Sequence, residues 1–203
     1  MSEGRAETPR GPIARAADAI QAGDLVVYPT ETVYGLGADA LDPEAITRVF
    51  DAKGRNRSEP ISLAVPTPET ALSYVSVSER ERAFMAEFLP GPVTVVMAKR
   101  AVVPDALTAG EDRVGIRVPD HDLAHALLDA VEPITATSAN VSGRPSVTDP
   151  DSLDSEIRAA AAEVLDGGET GGTGSTVVDV ERGEIHRDGP LVADIEAWLQ
   201  AHP

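Results

Sequence analysis

Residues 25–57 read LVVYPTETVYGLGADALDPEAITRVFDAKGRNR, and their pattern decides the fold class. The apolar run at residues 25–28 is typical of a buried strand. A helix is predicted after it, because Asp42 can cap the helix, Pro43 suits its first turn and Gly54 can end it. An apolar strand followed by an amphipathic helix favours a sheet with helices packed on it.

The same alternation of strand-like and helix-like segments continues along the chain. We predict strands at residues 25–28, 61–65, 93–97, 114–118, near 134 and at 175–180. Helices are predicted by apolar residues on one face, such as Ile13 with Ile20, Phe84 with Phe88, Leu123 with Leu127, and Ile195 with Leu199. Residues 149–162 are also predicted to be helical. The sequence therefore indicates one α/β domain.

Residues 53–57, Lys-Gly-Arg-Asn-Arg, concentrate positive charge in an acidic chain. The sequence has 34 acidic side chains against 17 basic ones, and only two lysines. Guanidinium and ammonium groups are the side chains that best match phosphoryl oxygens. Lys53 before Gly54 also fits an ordinary helix end, where a cation complements the helix dipole by about 0.3 to 1 kcal/mol. That alternative leaves Arg55 and Arg57 unexplained, so we favour an anion-binding loop with phosphate as its ligand.

The overall charge limits the classes of partner. A formal net charge of -17 opposes general binding to nucleic acid, because such binding depends on Lys and Arg side chains that neutralise phosphates. The excess of carboxylates, and of Arg over Lys, is similar to proteins from salt-loving microbes, in which charge keeps the surface hydrated. We therefore expect a halophilic protein whose fold weakens in dilute buffer, since salt screens the self-repulsion.

Composition also excludes several kinds of site. The chain has no cysteine, which rules out disulfides, thiolate catalysis and thiolate metal ligands. Its four histidines show no metal-ligand spacing, so we predict no metal held by protein ligands. Without a long apolar run, a cytoplasmic protein with no signal peptide or membrane span is expected. We predict a flexible tail at residues 1–12 and a single domain at residues 13–203.

Two segments are rich in hydroxyl groups. In residues 29–37, PTETVYGLG, hydroxyls and glycines are interleaved, which suits backbone that passes close to a ligand. Residues 137–143, TSANVSG, are an equally good candidate for a simple serine or Asx turn, in which short polar side chains satisfy local backbone groups.

The glycine-rich residues 167–174 fit a surface linker, because they lack nucleotide-binding glycine spacing. Arg117 is predicted to lie on the polar face of its strand.

Seven stretches occur together and in order along the chain. They are YPTETVYGLGADA from Tyr28, KGRNRSEPISLAV from Lys53, LPGPVTVVM from Leu89, VGIRVPDH from Val114, TSANVSG from Thr137, GSTVVDV from Gly174 and RDG from Arg187. Each stretch is weak evidence alone. Together they resemble the threonylcarbamoyl-AMP synthase family, the YrdC-like proteins of tRNA modification, in its short single-domain form. The resemblance extends from residue 13 to residue 189.

The resemblance implies a fold and a reaction. The implied fold is α/β: a single-domain twisted mixed sheet with surrounding helices that enclose a concave basic cavity. The implied enzyme is a nucleotidyltransferase that converts L-threonine, bicarbonate or CO2, and ATP to L-threonylcarbamoyladenylate and pyrophosphate, with Mg2+ on the phosphates. A threonylcarbamoyl-transferase complex then modifies adenosine 37 of tRNA, with at most a weak tRNA contact by this chain. The reaction needs no protein nucleophile, in agreement with the missing cysteine.

The resemblance also implies roles for individual residues. Lys53 and Arg55 are expected to be catalytic and to face the nucleotide phosphates. Other nucleotide-binding residues are Arg57, Asn140, Arg187 and, more weakly, Thr148. The threonine-binding residues are Thr30, Thr32, Arg117, Ser138, Ser175 and Thr176, with Arg117 as partner of the threonine carboxylate.

Three other functions stay open at this point. A related fold serves as a carbamoyl-adenylate module in hydrogenase maturation, within much larger proteins. A nucleic-acid-binding module would place the basic rim of the cavity on tRNA directly, which the negative net charge of the chain disfavours. A nucleotide sensor would bind ATP without releasing pyrophosphate in response to threonine.

Overall fold

One mixed sheet of ten strands, with eight α-helices around it, forms the part of the chain that the structure describes, a computed structural model of residues 11–203. The helices are α1 (Pro12–Gln21), α2 (Pro43–Lys53), α3 (Pro68–Ala71), α4 (Glu79–Phe88), α5 (Asp105–Thr108), α6 (Asp122–Ala130), α7 (Ser155–Ala160) and α8 (Val192–Ala201). The strands are β1 (Leu25–Tyr28), β2 (Gly35–Gly37), β3 (Ser62–Ala64), β4 (Val75–Ser76), β5 (Val93–Lys99), β6 (Arg113–Arg117), β7 (Ile134–Ser138), β8 (Ala161–Val164), β9 (Thr176–Asp179) and β10 (Glu184–Arg187). The predicted α/β architecture is confirmed.

The boundary between a tail at residues 1–12 and a domain at residues 13–203 stays a prediction. Residues 1–10 lie outside the described part of the chain, and Pro12 is already the first residue of α1. Within residues 11–203, no helix combines the length and the apolar character needed to cross a membrane.

The strand order across the sheet is β10-β9-β5-β6-β3-β7-β2-β1-β8, and β4 pairs with β5 at the side of this path. The pairs β5–β9, β3–β6 and β1–β8 are parallel. The other neighbours are antiparallel. The sheet is therefore mixed, as expected.

The two faces of the sheet are covered differently. On one face, Val95, Ile116 and Val178 belong to the larger apolar core, together with residues of α2, α4, α5 and α8. On the other face, α1 and α6 pack over Val26 and Ile134 in a smaller core. Side chains alternate along a strand, so the remaining residues of β5, β6 and β9 point to this second face, beyond α1 and α6. That uncovered part of the sheet is where the cavity lies.

Helix α2 carries the basic segment to the sheet, with the start and the end that the sequence predicted. The Asp42 side chain accepts a hydrogen bond from the Glu44 amide at 2.9 Å, and Pro43 lies in the first turn. The helix ends at Gly54, whose φ of 56° is in the left-handed region that glycine adopts without steric penalty. Residues Ile46, Val49 and Phe50 are buried, which fixes the rotation of the helix.

The prediction of one helix over residues 149–162 was wrong in its continuity and at its end, since only residues 155–160 are α-helical. A 3-10 helix (Pro150–Ser152) and the short α7 are followed by β8, in which Ala161 pairs with Leu25 and Val164 with Val27. The alanine-rich sequence favours a helix locally. Pairing with the edge of β1 satisfies the backbone groups of both strands and overrides that local preference.

Candidate active site

A cavity of about 580 Å³ lies on the uncovered face of the sheet. Its floor is made of small residues from neighbouring strands, among them Ser62, Thr94, Gly115 and Ala136. A Cβ atom added to Gly115 would collide with Ser62 Oγ and would lie 2.9 Å from Thr94 Cγ2. The floor residues around Gly115 are therefore in close contact with one another, and the space above the floor exists because these side chains are short.

Five arginines line the cavity, against two carboxylates. The arginines are Arg55, Arg113, Arg117, Arg182 and Arg187, and the carboxylates are Glu111 and Asp179. Asp179 is fully buried and is already paired with Arg113, with 2.8 Å between Arg113 Nε and Asp179 Oδ2. Three arginines without this partner, Arg55, Arg117 and Arg187, lie near the hydroxyl-rich residues of the cavity.

Arg117 is buried at the end of β6 and is held by an acidic residue of the loop after β1. Its Nη2 donates to Glu31 Oε1 at 2.7 Å, and its Nη1 donates to the Val93 carbonyl at 3.1 Å. Burial lowers the pKa of Arg117, and the Glu31 carboxylate opposes that change. Arg117 also lies 3.5 Å from Thr32 Oγ1. The predicted position on the polar face of the strand is thus a position inside the cavity.

The loop at residues 29–34 is held in one shape by its own hydroxyl groups. Thr30 Oγ1 donates to the Val33 carbonyl at 2.6 Å and lies 2.8 Å from Thr32 Oγ1. The Gly172 amide of the glycine-rich segment donates to the Thr32 carbonyl at 2.7 Å. The glycine-rich segment is therefore packed against this loop, and both Thr30 and Thr32 line the cavity.

Arg187 on β10 faces Ser175 at the other wall of the cavity. Its Nε and Nη2 donate to the Ser175 carbonyl at 2.9 and 2.8 Å, and Nη2 is 2.9 Å from Ser175 Oγ. Ser175 Oγ is in turn 2.7 Å from Thr94 Oγ1. Burial lowers the pKa of Arg187, and the positive charges of Arg117 and Arg55 lower it further. A negatively charged ligand would relieve this mutual repulsion.

Arg55 and Arg57 point in different directions. Arg55 lines the cavity and donates to the carbonyls of Glu59 and Pro60 at 3.2 and 3.1 Å. The Arg57 side chain is 62% exposed and pairs with Asp51 at 2.9 Å on the surface. The structure therefore brings Arg55 to the cavity and leaves Arg57 outside it.

Lys53 is the predicted site residue whose placement differs most from expectation. Only 1% of the residue is exposed, and it is absent from the cavity lining. Its Nζ donates to the carbonyl of Ser138, to the carbonyl of Asn140 at 2.8 Å and to Asn140 Oδ1 at 3.5 Å. Lys53 thus lies behind the residue 138–140 turn, and Ser138 is the member of that turn that lines the cavity.

Three further predicted residues are also outside the cavity lining. Asn140 is buried, and its Nδ2 donates to the Val141 and Arg144 carbonyls at 3.0 and 2.7 Å. Thr176 is fully buried, with its hydroxyl on the Pro190 carbonyl. The Thr148 carbonyl accepts from the Thr170 amide at 2.9 Å. These contacts lie beside the walls of the cavity, and the contact of each residue with a ligand stays a prediction.

The cavity also contains charged residues that sequence reasoning missed. Arg113 lies four residues before Arg117 in β6 and therefore on the same face of the strand, so the alternation of β6 was sufficient to find it. Asp179, Arg182 and Glu111 carried no such signal, because their approach depends on the pairing of β5 with β6 and β9. Within residues 11–203, no group of three or more His, Asp or Glu side chains could hold a metal ion.

Known proteins are similar to this chain in sequence and in fold. The Sua5, YciO and YrdC family model, described as telomere recombination, matches residues 18–189. The threonylcarbamoyl-AMP synthase of Pyrococcus abyssi is 42% identical over 168 residues, which are 81% of this chain and 49% of that protein. The enzyme of the same name from Bacillus subtilis is 38% identical over 173 residues, 82% of this chain and 49% of that protein. The chain spans about half the length of these two curated relatives.

A solved structure gives the same result for the fold. The crystal structure of P. abyssi Sua5 complexed with L-threonine matches with a TM-score of 0.84 and 38% sequence identity. The match covers 92% of this chain and 56% of that chain. The sequence motifs, the sheet order around the cavity and these similarities lead to one conclusion. This chain belongs to the Sua5, YciO and YrdC family.

Proposed function

We propose that this chain is a threonylcarbamoyl-AMP synthase. It would convert L-threonine, bicarbonate or CO2, and ATP to L-threonylcarbamoyladenylate and pyrophosphate. The observation that carries the proposal is the meeting of Arg55, Arg117 and Arg187 with hydroxyl-bearing residues in one cavity. The relatives named above support the same activity, since two carry this name and a related protein was solved with L-threonine.

The reaction consists of a carboxylation and an adenylation. The threonine amine attacks CO2, loses a proton and becomes a carbamate. A carbamate oxygen then attacks the α-phosphorus of ATP, and the bond from that phosphorus to the bridging oxygen breaks, so that pyrophosphate leaves. No covalent bond to the protein is needed. Catalysis comes from alignment of the reactants and from cations near the oxygens that gain negative charge.

The arginines of the cavity divide between the two substrates by their surroundings. Among the described residues, Arg187 makes no ion pair with a carboxylate. Arg55 pairs with the exposed Glu59 carboxylate at the longer distance of 3.6 Å. Both arginines are therefore proposed to bind phosphates. Arg117 lies beside Thr32 and is proposed to bind the threonine carboxylate. In that complex Arg117 would share its guanidinium between the substrate and Glu31, since the group has five donors in a fixed fork.

Mg2+ would come to the cavity with the triphosphate. The two carboxylates in the lining do not form a protein cage for the ion, because Asp179 is committed to Arg113. Mg2+ commonly binds substrate phosphates together with one or two carboxylates and water. When bound, it would offset part of the phosphate charge while Arg55 and Arg187 orient the chain of phosphates.

The product is proposed to be passed to a threonylcarbamoyl-transferase complex that modifies adenosine 37 of tRNA. The net charge of -17 argues against strong binding of tRNA by this chain itself. Both ATP and tRNA are cytoplasmic, and we propose the same compartment for the reaction.

An amino acid series tests the proposed activity. Purified protein in concentrated KCl is incubated with ATP, Mg2+ and bicarbonate, each amino acid is added in turn, and pyrophosphate is measured. Release that depends on threonine, and falls when bicarbonate is removed, supports the synthase. ATP binding without threonine-dependent release would instead favour a nucleotide sensor, and salt-sensitive tRNA binding alone would favour a nucleic-acid-binding module.

A further inference from the structure

The ammonium group of Lys53 is fully engaged by one turn of the protein. An ammonium has three N–H donors. Lys53 Nζ has three acceptors, the carbonyl oxygens of Ser138 and Asn140 and the side-chain oxygen of Asn140, and the last two are 2.8 and 3.5 Å away. With 1% of the residue exposed and no part in the cavity lining, no donor is left for a phosphate oxygen.

The backbone of Lys53 is tied to the same turn. Its carbonyl accepts a hydrogen bond from the Ser142 amide at 2.8 Å. The last residue of α2 therefore contacts the turn from both its backbone and its side chain. On the far side of the turn, the Ala139 amide donates to the Tyr34 carbonyl at 2.8 Å, which attaches it to the start of β2.

The result of these contacts is a fixed position for Ser138. Its hydroxyl donates to Asn140 Oδ1, the oxygen that also faces the Lys53 ammonium. Ser138 lines the cavity, whereas Lys53 and Asn140 do not. Thus the three side chains form a chain of polar contacts that begins at the last residue of α2 and ends at the cavity surface.

We infer that Lys53 is a positioning residue, which acts on substrates only through the Ser138–Asn140 turn. The expected phosphate contact then belongs to Arg55, two residues further on, which does line the cavity. This inference rests on the proposed function for its kinetic test, but the hydrogen bonds themselves can be tested without any activity.

Nuclear magnetic resonance can observe the Lys53 ammonium directly, because the chain has only two lysines. Protein with 13C,15N-labelled lysine, serine and asparagine is measured, and a Lys99→Arg variant assigns the two Nζ signals. Couplings across hydrogen bonds from Lys53 Nζ to the carbonyl carbons of Ser138 and Asn140 are expected in the free protein. They are expected to persist when tripolyphosphate is added. Absence of both couplings in the free protein overturns the inference.

Addition of tripolyphosphate distinguishes a positioning role of Lys53 from direct binding of phosphate by its ammonium group. Loss of the carbonyl couplings, or a new coupling from Lys53 Nζ to 31P, would show that Lys53 leaves the turn for the phosphate, and would overturn the inference. In a second sample with 15N-labelled arginine, absence of any shift of an arginine Nε signal on addition of tripolyphosphate would weaken the proposed function. The two couplings in the free protein would still decide the role of Lys53.

Kinetics provide a readout that a purely structural role would not change. Burial lowers the pKa of Lys53 to about 8, with Arg55 lowering it further and Asp154 raising it. Turnover of the wild-type protein is therefore expected to fall as pH rises through about 8. In Lys53→Met, turnover should be low and should lack this alkaline decrease, with a threonine KM changed less than turnover. An unchanged alkaline decrease in Lys53→Met would contradict the positioning role.

Discussion

The guanidinium of Arg117 and the carboxylate of Glu31 form a buried ion pair, 2.7 Å apart, with side chains 6% and 19% exposed. Removal of one partner leaves an uncompensated charge on a side chain that is largely buried. We expect Arg117→Met to lower the free energy of unfolding by about 3 to 5 kcal/mol.

A matched control for this variant is available at the surface. Arg57 makes an ion pair of similar length with Asp51, but both side chains are more than 60% exposed. Arg57→Met should change the free energy of unfolding by less than about 1 kcal/mol. Urea unfolding of both variants and of the double variant Arg117→Met with Glu31→Gln makes the comparison. Equal losses in the two single variants would contradict the importance of burial.

The floor of the cavity gives a second prediction. Gly115→Ala would place a methyl group against Ser62 Oγ and 2.9 Å from Thr94 Cγ2. Overpacking of this kind lowers the free energy of unfolding by about 1 to 3 kcal/mol. Gly11→Ala, where no atom lies within 4 Å of the added Cβ, is the control for crowding; because Gly11 is the N-cap of α1, where glycine is preferred to alanine, it should cost about 0.5 to 1 kcal/mol. Thermal or urea unfolding measures both changes in the free energy of unfolding. Equal losses from the two substitutions would show that the floor around Gly115 is not closely packed.

The stability of the protein should depend on pH through Lys53. Its pKa is about 8 in the folded protein and 10.5 ordinarily, so between these values the unfolded chain binds more protons than the folded one. The free energy of unfolding therefore rises with pH in this window, by about 2 to 4 kcal/mol for this group. The wild-type value minus that of Lys53→Met, from urea unfolding at pH 7.5 and 10.5, isolates the contribution. A difference that stays constant with pH would mean that the ammonium is not buried as described.

Substitution of each of the two arginines in the loop after α2 should affect the activity differently. Arg55 lines the cavity, and Arg57 is on the surface with Asp51. Arg55→Gln is expected to slow threonine-dependent pyrophosphate release by roughly 100-fold, the size of effect seen when one group that stabilises transition-state charge is removed. Arg57→Gln removes the same charge from the same loop and should alter the rate by less than about twofold. Similar losses in both variants would show that the loop reorganises around the substrate.

Local signals in the sequence predicted the fold well where a helix or strand carries its own boundaries. Helix α2 begins at Asp42 and Pro43 and ends at Gly54, because capping and backbone preferences act within a few residues. The alternation in β6 placed Arg117 opposite Val114 and Ile116. By contrast, the first two residues of β8 were predicted to be helical, since only the pairing of β8 with β1 makes it a strand.

The sequence predicted which residues belong to the candidate site better than it predicted the directions of their side chains. Seven of the predicted residues line the cavity: Thr30, Thr32, Arg55, Arg117, Ser138, Ser175 and Arg187. Lys53 and Arg57 flank Arg55 closely in sequence but point elsewhere, because a buried turn attracts one side chain and the Asp51 carboxylate the other. The direction of Lys53 depends on a turn 85 residues further along the chain, which no local pattern records.

The most direct test of the proposed synthase activity follows the carbon of bicarbonate into product. Purified protein is given 14C-bicarbonate, ATP, Mg2+ and L-threonine, and the nucleotides are separated at once and identified by mass. A synthase should form a labelled threonylcarbamoyl adenylate, in equal amount with pyrophosphate and only when threonine is present. Pyrophosphate release without label in any adenylate, or no adenylate under these conditions, would contradict the proposed activity.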